Sequence, residues 1–403
     1  MKKILFVINT LGLAGAEKAL IELLKSIDPK KYRIDLLVLL NQGELIHDIP
    51  DYVNVMNADF DDCPIHTAEG RKHLLGKSIK ALLNKGTLFR CLAYIVGNLF
   101  DMIKSHRIQC DKLLWKAIAQ SSDSINEKYD MAVAFVEGGS TYYVGRKVDA
   151  VRKVAWIHIA YGVAGYNTKL DEGIYDCFDR VYCVSREVRE SFINVYPEKE
   201  DYVRVFHNIV NINDIEKKSV EDGGFEDDFD GIRILSVGRL VAQKAYEVSI
   251  DAIKLLTDKG VKLRYYILGE GNQRDELLHY IEKFRLTDTV FLYGNRNNPY
   301  PYIRQCDIFL HASRYEGKSI AIQEARILGK PIVVSDCEGN REQISDGVDG
   351  LICDFNPNSI TQSLLRLIED RSMAELIGRN AADRIRGELD SSDEMRGLLE
   401  LIE

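Results

Sequence analysis

The chain has 403 residues, which is enough for two or three domains at about 100–200 residues each. Hydrophobic residues make up 46% and charged residues 29%, a balance typical of soluble globular proteins. The net charge of −9 argues against general nucleic-acid binding, because that function depends on clustered lysine and arginine.

The first elements follow an α/β pattern. An apolar strand over 4–8 leads into a glycine-bearing turn, and a helix over 17–27 precedes a second strand over 34–40. The apolar run stops at Asn9 without a small-residue cleavage site, so it predicts a buried strand and not a signal peptide. No stretch reaches the roughly 18–20 apolar residues that a membrane span requires.

Residues 69–116 are predicted to be helical throughout and are strongly basic. Ten lysines and arginines stand against three acids, which gives the segment a local charge of +7. Four aromatic residues are expected to be exposed beside this charge: Phe89, Tyr94, Phe100 and Trp115. Two interpretations remain open, a solvated helical face or a patch that binds anionic membrane lipid.

Strand patterns return after this segment and lead to a change in composition. The next strands are predicted over 131–136, 153–157, 180–184 and 202–206. A polar stretch over 211–231 then carries the acidic run from Glu221 to Gly231, and it is the best linker candidate.

A second α/β series follows, and its helices alternate with six predicted strands. These strands lie over 233–237, 264–268, 290–292, 308–310, 331–334 and 351–353. A final helix over about 373–402 is long enough to pack on the first domain. The eight cysteines show no zinc spacing and no C-x-x-C pair, which favours reduced thiols in a cytoplasmic protein.

The segment from Ser313 to Glu324 holds two carboxylates, Glu316 and Glu324, with seven residues between them. It joins a predicted strand to a predicted helix through a glycine turn. Carboxylates at such a junction are well placed to bind sugar hydroxyls. The amides of the turn and of the helix start are well placed to bind an anion.

Two cations are predicted at the same edge of the sheet. Arg239 follows the strand over 233–237, and Lys244 lies five residues further on. The carboxyl ends of parallel strands are where α/β proteins bind ligands, and two cations there suit a diphosphate. Glycine turns at Gly269 and before Asn295 follow the next two strands, although glycine after a strand is often only turn chemistry.

These motifs resemble those of the retaining, GT-B-fold glycosyltransferases of family 4, also called glycosyl transferases group 1. That family includes bacterial capsule, exopolysaccharide and lipopolysaccharide glycosyltransferases. The resemblance rests on Gly238-Arg239 with Lys244, Gly269-Glu270-Gly271, the Glu316–Glu324 pair and the glycines of 347–351. It is strong over 231–355 and weaker over the first 30 or so residues and at 156–158.

The resemblance implies an α/β fold of two Rossmann-like, doubly wound domains that face each other across a cleft. The expected acceptor-binding domain covers 1–210, with a helical insertion at about 69–127. A linker over 211–231 leads to a nucleotide-sugar-binding domain over 232–385. A C-terminal helix over 386–403 is expected to pack on the first domain.

It also implies a role for each matching residue. Glu316 would bind hydroxyls of the donor sugar, and His158 would reach that sugar and help to place the acceptor. Arg239 and Lys244 would neutralise the leaving diphosphate, so neither a metal nor a separate cofactor is expected. The implied contacts with the nucleotide-sugar are Gly15, Gly238, Gly269, Asn295, Arg296, Gly317, Lys318, Ser319, Ile320 and Glu324, of which Glu324 would hold the ribose.

The implied activity is that of a metal-independent hexosyltransferase that retains anomeric configuration. The donor would be a nucleotide-diphosphate sugar, with UDP favoured over GDP, and the acceptor a saccharide or lipid-linked saccharide in cell-surface polysaccharide assembly. The expected location is the cytoplasm, peripheral on the inner face of the membrane. The sequence has Ala14, Lys318 and Ala245 where many members have glycine or phenylalanine, and this leaves the donor sugar open.

Three other interpretations compete with this one. Ala312-x4-Gly317-Lys318-Ser319 fits a loose P-loop pattern, but Ala312 and Glu316 would place bulk and negative charge against the phosphates. Asp59-Phe60-Asp61 resembles a D-x-D metal site and is more simply a polar loop. A non-catalytic partner subunit that binds polymer or stabilises an active enzyme is the alternative function, and the intact carboxylates and cations argue against it.

Overall fold

The computed structural model describes residues 1–403 except for 58–59, 66, 84–85, 107, 109, 162–166, 172 and 389–391. The chain divides into two compact units. The first unit comprises Met1–Ile209 and Ser391–Glu403, and the second comprises Val210–Asp390. Each unit is built on a sheet in which every strand pair is parallel.

The first unit has a seven-stranded sheet in the order β3-β2-β1-β4-β5-β6-β7. Its strands are β1 Lys2–Ile8, β2 Tyr32–Val38, β3 Val53–Val55, β4 Tyr129–Ala134, β5 Ala150–Ile157, β6 Arg180–Cys183 and β7 Val203–Val205. Its helices up to β7 are α1 Gly15–Ser26, α2 Ala68–Leu83, α3 Thr87–Lys104, α4 Cys110–Leu113, α5 Trp115–Ser121, α6 Gly139–Lys147 and α7 Arg186–Val195. The strand order reverses between β1 and β4, which is where ligands bind in doubly wound folds.

The second unit has a six-stranded sheet in the order β10-β9-β8-β11-β12-β13. Its strands are β8 Ile232–Val237, β9 Leu263–Leu268, β10 Val290–Gly294, β11 Ile308–His311, β12 Ile332–Ser335 and β13 Leu351–Cys353. Its helices are α8 Ile212–Lys218, α9 Tyr246–Asp258, α10 Arg274–Lys283, α11 Tyr300–Gln305, α12 Ile320–Ile327, α13 Glu338–Arg341, α14 Pro357–Glu369 and α15 Arg371–Glu388.

Both faces of the second sheet are buried, which explains why its strands are continuous apolar runs. Ile234 of β8 and Tyr265 of β9 belong to one buried cluster, whereas their neighbours Leu235 and Tyr266 belong to another. Successive side chains of a strand point to opposite faces of the sheet, so helices cover it on both sides. The strand order reverses between β8 and β11.

The predicted linker over 211–231 packs on the second unit. It begins with α8, whose Ile215 contacts the buried cluster of Ile327 and Ile385. Further along, Asp227 pairs with Arg233 and Arg264, each at 2.6 Å. The acidic run therefore includes a carboxylate that pairs with arginines of the sheet. The charge pattern of the run alone does not predict these ion pairs.

The predicted C-terminal helix is two helices, α15 and α16, the latter at Ser392–Leu399. α15 ends at Glu388, so 386–388 belong to the second unit. α16 belongs to the first unit, where Leu398 is buried and Glu394 lies 3.1 Å from His207.

The basic segment forms helices α2 to α5 in the first unit. Its aromatic residues divide into two pairs. Phe89 and Phe100 are 84% and 68% exposed, whereas Tyr94 and Trp115 are buried, contrary to the expectation from sequence. Within the described residues no single helix has the length and hydropathy of a membrane span, and Glu69–Leu83 and Thr87–Lys104 reach them only when the bent pair is taken together.

Candidate active site

The second unit brings two loops together at its strand-order reversal, because β8 and β11 are neighbours in the sheet. The loop after β8 contains Gly238 and Arg239 and ends in a short 3-10 turn with Lys244. The loop after β11 contains Glu316 and leads into α12. The Lys244 ammonium forms a salt bridge with the Glu316 carboxylate between these loops.

Two further side chains join this pair, and neither was predicted as a site residue. His311, the last residue of β11, places Nε2 3.1 Å from Oε1 of Glu316 and 3.2 Å from Nζ of Lys244. The Ser313 hydroxyl donates to the same Oε1 at 2.6 Å. All three hydrogen bonds to Glu316 thus end on one carboxylate oxygen, and the sequence motif gives no sign of this convergence.

The cluster keeps Glu316 ionised although the side chain is buried. Burial by itself raises the pKa of this carboxyl, but the Lys244 charge and the hydrogen bond from His311 outweigh it and hold the pKa well below its usual range. Burial, followed by the Lys244 charge, lowers the pKa of His311. At neutral pH the cluster is therefore a carboxylate, an ammonium and a neutral imidazole.

A second set of contacts joins the Glu316 loop to the end of β12 and to the chain that follows it. The backbone N–H of Ser313 donates to Oγ of Ser335 at 2.8 Å, and that hydroxyl donates back to the Ser313 carbonyl at 2.7 Å. A Cβ added at Gly339 would lie 2.0 Å from the carbonyl oxygen of Gly317. Gly339, which the sequence analysis did not single out, therefore lets the chain after β12 approach this loop.

The loop after β8 is bonded to the Glu316 loop at several points. Gln243 donates through Nε2 to the Tyr315 carbonyl at 2.9 Å, and its own carbonyl accepts from the Arg314 N–H at 2.8 Å. Arg239 is exposed and forms no salt bridge within the described part of the chain. Of the two predicted diphosphate cations, one is thus held in the cluster and the other is accessible.

The predicted glycines Gly238 and Gly269 have a packing role in this loop. Gly269 has φ +148°, and a Cβ there would lie 2.0 Å from the carbonyl oxygen of Gly238. A Cβ on Gly238 would in turn lie 3.0 Å from the Tyr246 hydroxyl. Gly269 requires glycine because two backbones meet there, whereas a Cβ at Gly238 would crowd the side chain of Tyr246.

The second carboxylate, Glu324, lies on α12 and is buried. It accepts a hydrogen bond from the Tyr300 hydroxyl at 3.1 Å. The predicted turn residues Gly317, Lys318 and Ser319 precede this helix, and Ile320 is its first residue. The first-turn amides of a helix have no intrahelical acceptor, so this end of α12 can hold an anion.

Asn295 and Arg296 follow β10, which is separated from β11 by β9 and β8. The Arg296 Nε donates to the Tyr302 hydroxyl at 3.1 Å, and its guanidinium lies 5.6 Å from the centre of the Tyr293 ring. The described contacts of Arg296 therefore place it on the tyrosines of its own region and not in the Lys244–Glu316 cluster.

The two remaining predicted residues, Gly15 and His158, belong to the first unit. Gly15 is the exposed first residue of α1, after β1. His158 follows β5, and its Nε2 lies 2.9 Å from the Phe135 carbonyl, so Nε2 carries the hydrogen and donates. Burial lowers the pKa of His158 to about 4, which makes the ring neutral at pH 7.

A buried glutamate, Glu137, supports His158 and was missed in the sequence. Its Oε2 accepts from the backbone N–H of His158 at 3.1 Å. Burial raises the pKa of Glu137. The sequence shows Glu137 as an acid just after the end of a predicted strand. Its hydrogen bond with the backbone N–H of His158 could not be predicted, because it depends on β4 and β5 being neighbours in the sheet.

The D-x-D interpretation falls partly outside the described residues, because Asp59 is not among them. Asp61 pairs with Lys77 at 2.8 Å and lies 3.3 Å from His73. Asp61, Cys63 and His73 have potential ligand atoms within 4.8 Å of one another. Since Lys77 already neutralises Asp61, the group is better explained as an ion pair.

Comparison with known proteins covers the part of the chain that holds this cluster. The family model of glycosyl transferases group 1 matches residues 225–384, which hold every element of the second-unit site. A Campylobacter jejuni protein, N-acetylgalactosamine-N,N'-diacetylbacillosaminyl-diphospho-undecaprenol 4-alpha-N-acetylgalactosaminyltransferase, is 32% identical over 214 residues. The alignment covers 52% of this chain and 56% of that protein, so the chain spans about half the length of the first curated relatives that it matches.

Two further comparisons extend the likeness. The Escherichia coli UDP-Gal:alpha-D-GlcNAc-diphosphoundecaprenol alpha-1,3-galactosyltransferase is 26% identical over 283 residues, covering 64% of this chain and 71% of that protein. The crystal structure of Anabaena HepE in complex with UDP and glucose has a TM-score of 0.67 at 18% identity and covers 99% of both chains, which shows a shared fold. The chain has the two-domain GT-B fold, and its residues 225–384 match the family model of glycosyl transferases group 1.

Proposed function

We propose that the protein is a retaining glycosyltransferase that moves a hexosyl group from a UDP-sugar to a saccharide or lipid-linked saccharide in cell-surface polysaccharide assembly. The observation that carries this proposal is the Lys244–Glu316 salt bridge beside the start of α12, at the strand-order reversal of a group 1 domain. Glu316 binds hydroxyls of the donor sugar, and Lys244 and Arg239 bind its diphosphate.

In the proposed reaction the bond between the anomeric carbon and the diphosphate oxygen breaks. The acceptor oxygen bonds to that carbon from the same face, and its proton passes to the leaving diphosphate. Fixed positive charge from Lys244 and Arg239 stabilises the leaving group. Because these cations supply that charge, we expect activity to persist in EDTA, and a strict requirement for manganese would contradict this part.

The donor is identified by thermal shift. A ligand that binds only the folded protein raises the unfolding midpoint by mass action, whatever the acceptor is. We expect UDP and one UDP-sugar to raise the midpoint more than GDP-sugars do. The shift is measured for the wild-type protein and for Glu324→Gln, because Glu324 is proposed to hold the ribose. A chain that binds no nucleotide at all would favour the non-catalytic alternative.

The acceptor proposal draws support from the surface of α3. One face of this helix is buried through Cys91, Asn98 and Met102. Six apolar residues on the other face are exposed: Phe89, Leu92, Val96, Leu99, Phe100 and Ile103. At 3.6 residues per turn they fall within an arc of about 100°, which is an apolar stripe in contact with water.

Exposed basic residues lie on α3 and on α2. Arg90 and Lys104 lie on α3, and Arg71, Lys72 and Lys80 lie exposed on α2; Lys85 and Arg107, which the sequence analysis included, lie outside the described residues. An apolar stripe together with exposed cations on these helices fits an anionic bilayer surface, where apolar side chains enter the interface and cations meet the headgroups. We therefore infer that the protein acts at the inner face of the membrane on a lipid-linked acceptor.

Vesicle sedimentation tests this inference. Phe89→Ser with Phe100→Ser is expected to weaken binding to phosphatidylglycerol vesicles by more than tenfold, since each ring buries substantial apolar area. Val151→Ser with Tyr202→Ser removes two exposed apolar residues elsewhere on the first unit and serves as the control. Equal binding by both double variants would leave α2 and α3 as ordinary solvated helices.

A further inference from the structure

His311 occupies an unusual position in the charged cluster of the second unit. It is 4% exposed, and a single ring nitrogen meets all the other members. Nε2 lies 3.1 Å from Glu316 Oε1, 3.2 Å from Lys244 Nζ and 3.4 Å from Ser313 Oγ. A buried ring that contacts two charged groups through one atom must have a defined hydrogen position.

Nε2 lies between an acceptor, Glu316 Oε1 at 3.1 Å, and a donor, the Lys244 ammonium at 3.2 Å. With hydrogen on Nδ1, a bare Nε2 accepts from Lys244 but directs its lone pair at the Glu316 carboxylate; with hydrogen on Nε2, the ring donates to Oε1, which also accepts from Lys244. We adopt the second tautomer, in which both donors serve the carboxylate. Burial and the Lys244 ammonium keep the ring neutral by lowering the His311 pKa. His311 thus gives Glu316 one donor without adding a second positive charge.

The three donors to Glu316 all bind the same oxygen. Lys244, His311 and Ser313 bond to Oε1, and among the described residues no donor bonds to Oε2. A carboxylate fixed through one oxygen presents the other in a defined direction. The arrangement therefore leaves one acceptor for a ligand while the carboxylate is held in place.

We propose that His311 is a positioning residue, which together with Ser313 fixes Oε1 of Glu316 so that Oε2 accepts a hydroxyl of the transferred sugar. This inference rests on the proposed function, since it requires Glu316 to be the carboxylate that binds the donor sugar. Lys244 differs from the two neutral donors because an incoming diphosphate offers its ammonium another anion. His311 and Ser313 then keep Glu316 oriented when Lys244 turns to the phosphates.

Two substitutions at His311 separate a donor role from a packing role. In His311→Gln the side-chain amide nitrogen can donate from near the position of Nε2, whereas His311→Leu fills the space without a donor. We expect His311→Leu to lower kcat for sugar transfer by about 10–100-fold, the usual effect of losing a hydrogen bond to a charged group. His311→Gln should recover most of that loss, and both variants should bind UDP with about the wild-type affinity because UDP lacks the transferred sugar that Glu316 is proposed to bind.

Several outcomes would overturn the positioning role. Equal losses in His311→Gln and His311→Leu would indicate packing alone, and a His311→Leu variant with wild-type kcat would show that Glu316 needs no such donor. Should His311→Leu fail to fold, Ser313→Ala removes a donor to the same oxygen and is expected to lower kcat in the same way while UDP affinity is kept.

A tautomer measurement tests the geometry without any substrate. In the ligand-free protein, 15N NMR of the labelled histidines should show His311 with hydrogen on Nε2, and hydrogen on Nδ1 would overturn the proposal. Failure of the proposed function has a different signature, namely a wild-type protein that binds no UDP-sugar. A wild type that transfers sugar, beside unaffected His311 and Ser313 variants, would overturn the positioning role alone.

Discussion

The two sheets have the same order around their reversals, but the edges there differ in charge. In the second unit Lys244 pairs with buried Glu316 and holds the pKa of its carboxyl below the usual range. In the first unit no salt bridge joins buried Glu137 within the described residues, and burial raises the pKa of its carboxyl. Beside it, burial lowers the pKa of His158 to about 4.

The comparison shows that topology fixes where such groups meet, whereas a neighbouring cation decides in which direction the pKa of a buried carboxyl moves. Desolvation disfavours the charged form of both glutamates, and only the second unit supplies an opposite charge within hydrogen-bond distance. The edge of the second sheet, with its cations, suits a diphosphate and sugar hydroxyls. The edge of the first sheet, which has no such ion pair at Glu137 within the described residues, suits contacts with an uncharged saccharide, as the family resemblance implies for the first unit.

The largest expected effect follows from removing the charge at the second edge. Glu316→Gln keeps a carbonyl acceptor for Lys244, His311 and Ser313 but removes the counter-charge of the Lys244 ammonium, so a moderate fall in the unfolding midpoint is expected. Turnover should fall by roughly 10²–10³-fold, as when a preorganised electrostatic group is lost. Steady-state kinetics and thermal unfolding measure the two effects. Glu338→Gln, at an exposed acid nearby, is the control, and turnover within a few-fold of wild type would refute the sugar-binding role.

A smaller loss of activity is expected when the Glu316 loop is displaced but its charge is kept. In Gly339→Ala the new Cβ would meet the Gly317 carbonyl oxygen and push the Glu316 loop outward. A displacement of about 1 Å near the reacting groups can cost about 10²-fold in rate, so we expect kcat/KM to fall by about 10–100-fold. Gly387→Ala, where a Cβ meets nothing within 4 Å, should leave kcat/KM unchanged. Equal kinetics for both variants would mean that the loop adapts freely.

The accessible cation should matter less than the buried pair. Arg239→Gln removes one proposed partner of the diphosphate, and UDP affinity should fall by about tenfold, the lower range for a charge-assisted hydrogen bond. Calorimetry at low and high salt measures this loss, which should shrink as salt screens the exposed charge. Lys254→Gln, which breaks an exposed pair with Asp258, is the control. Undiminished UDP binding at low salt would remove Arg239 from the site.

The smallest effect concerns the pH dependence of stability through His158, at the edge of the first sheet. The folded-state pKa of His158, about 4, lies below the usual 6.5, so the unfolded chain takes up the proton first as pH falls. Stability is therefore fully present above pH 6.5 and declines towards pH 4, and His158→Gln should reduce that decline by about 1–2 kcal/mol. His311 acts in the same direction, so some decline remains.

Urea unfolding at pH 7 and pH 5 checks this prediction, with exposed His279→Gln as the control. If the free energy of unfolding depends on pH in the same way in wild type and in His158→Gln, the surroundings of His158 do not disfavour its protonated ring, and the prediction is wrong.

Much of the fold could be read from the sequence, because parallel strands buried on both faces are continuous apolar runs. β1 and β11 are of this kind. β3 was missed, since Val53–Val55 has three residues and an exposed centre. The apolar residues of α3 were misread in part: periodicity shows that a helix has two faces, but it does not say which of Tyr94 and Phe89 will find a partner.

In the candidate site, too, the sequence predicts which residues are present but not every contact that they make. Glu316, Lys244 and Arg239 could be predicted because a known spacing carries them, and the structure brings the first two into contact. The contributions of His311 and Ser313 could not be predicted, since they depend on where one ring nitrogen and one hydroxyl point after β11 has packed between β8 and β12.

The return of α16 to the first unit has a consequence for biosynthesis. Residues 391–403 complete a body whose other residues, 1–209, are made much earlier, while the whole of 210–390 is translated in between. Contacts such as that of Glu394 with His207 can form only after the second unit has emerged from the ribosome. Until then, the surface of the first unit that α16 covers is exposed on the nascent chain. A chaperone would be expected to bind the chain during that interval.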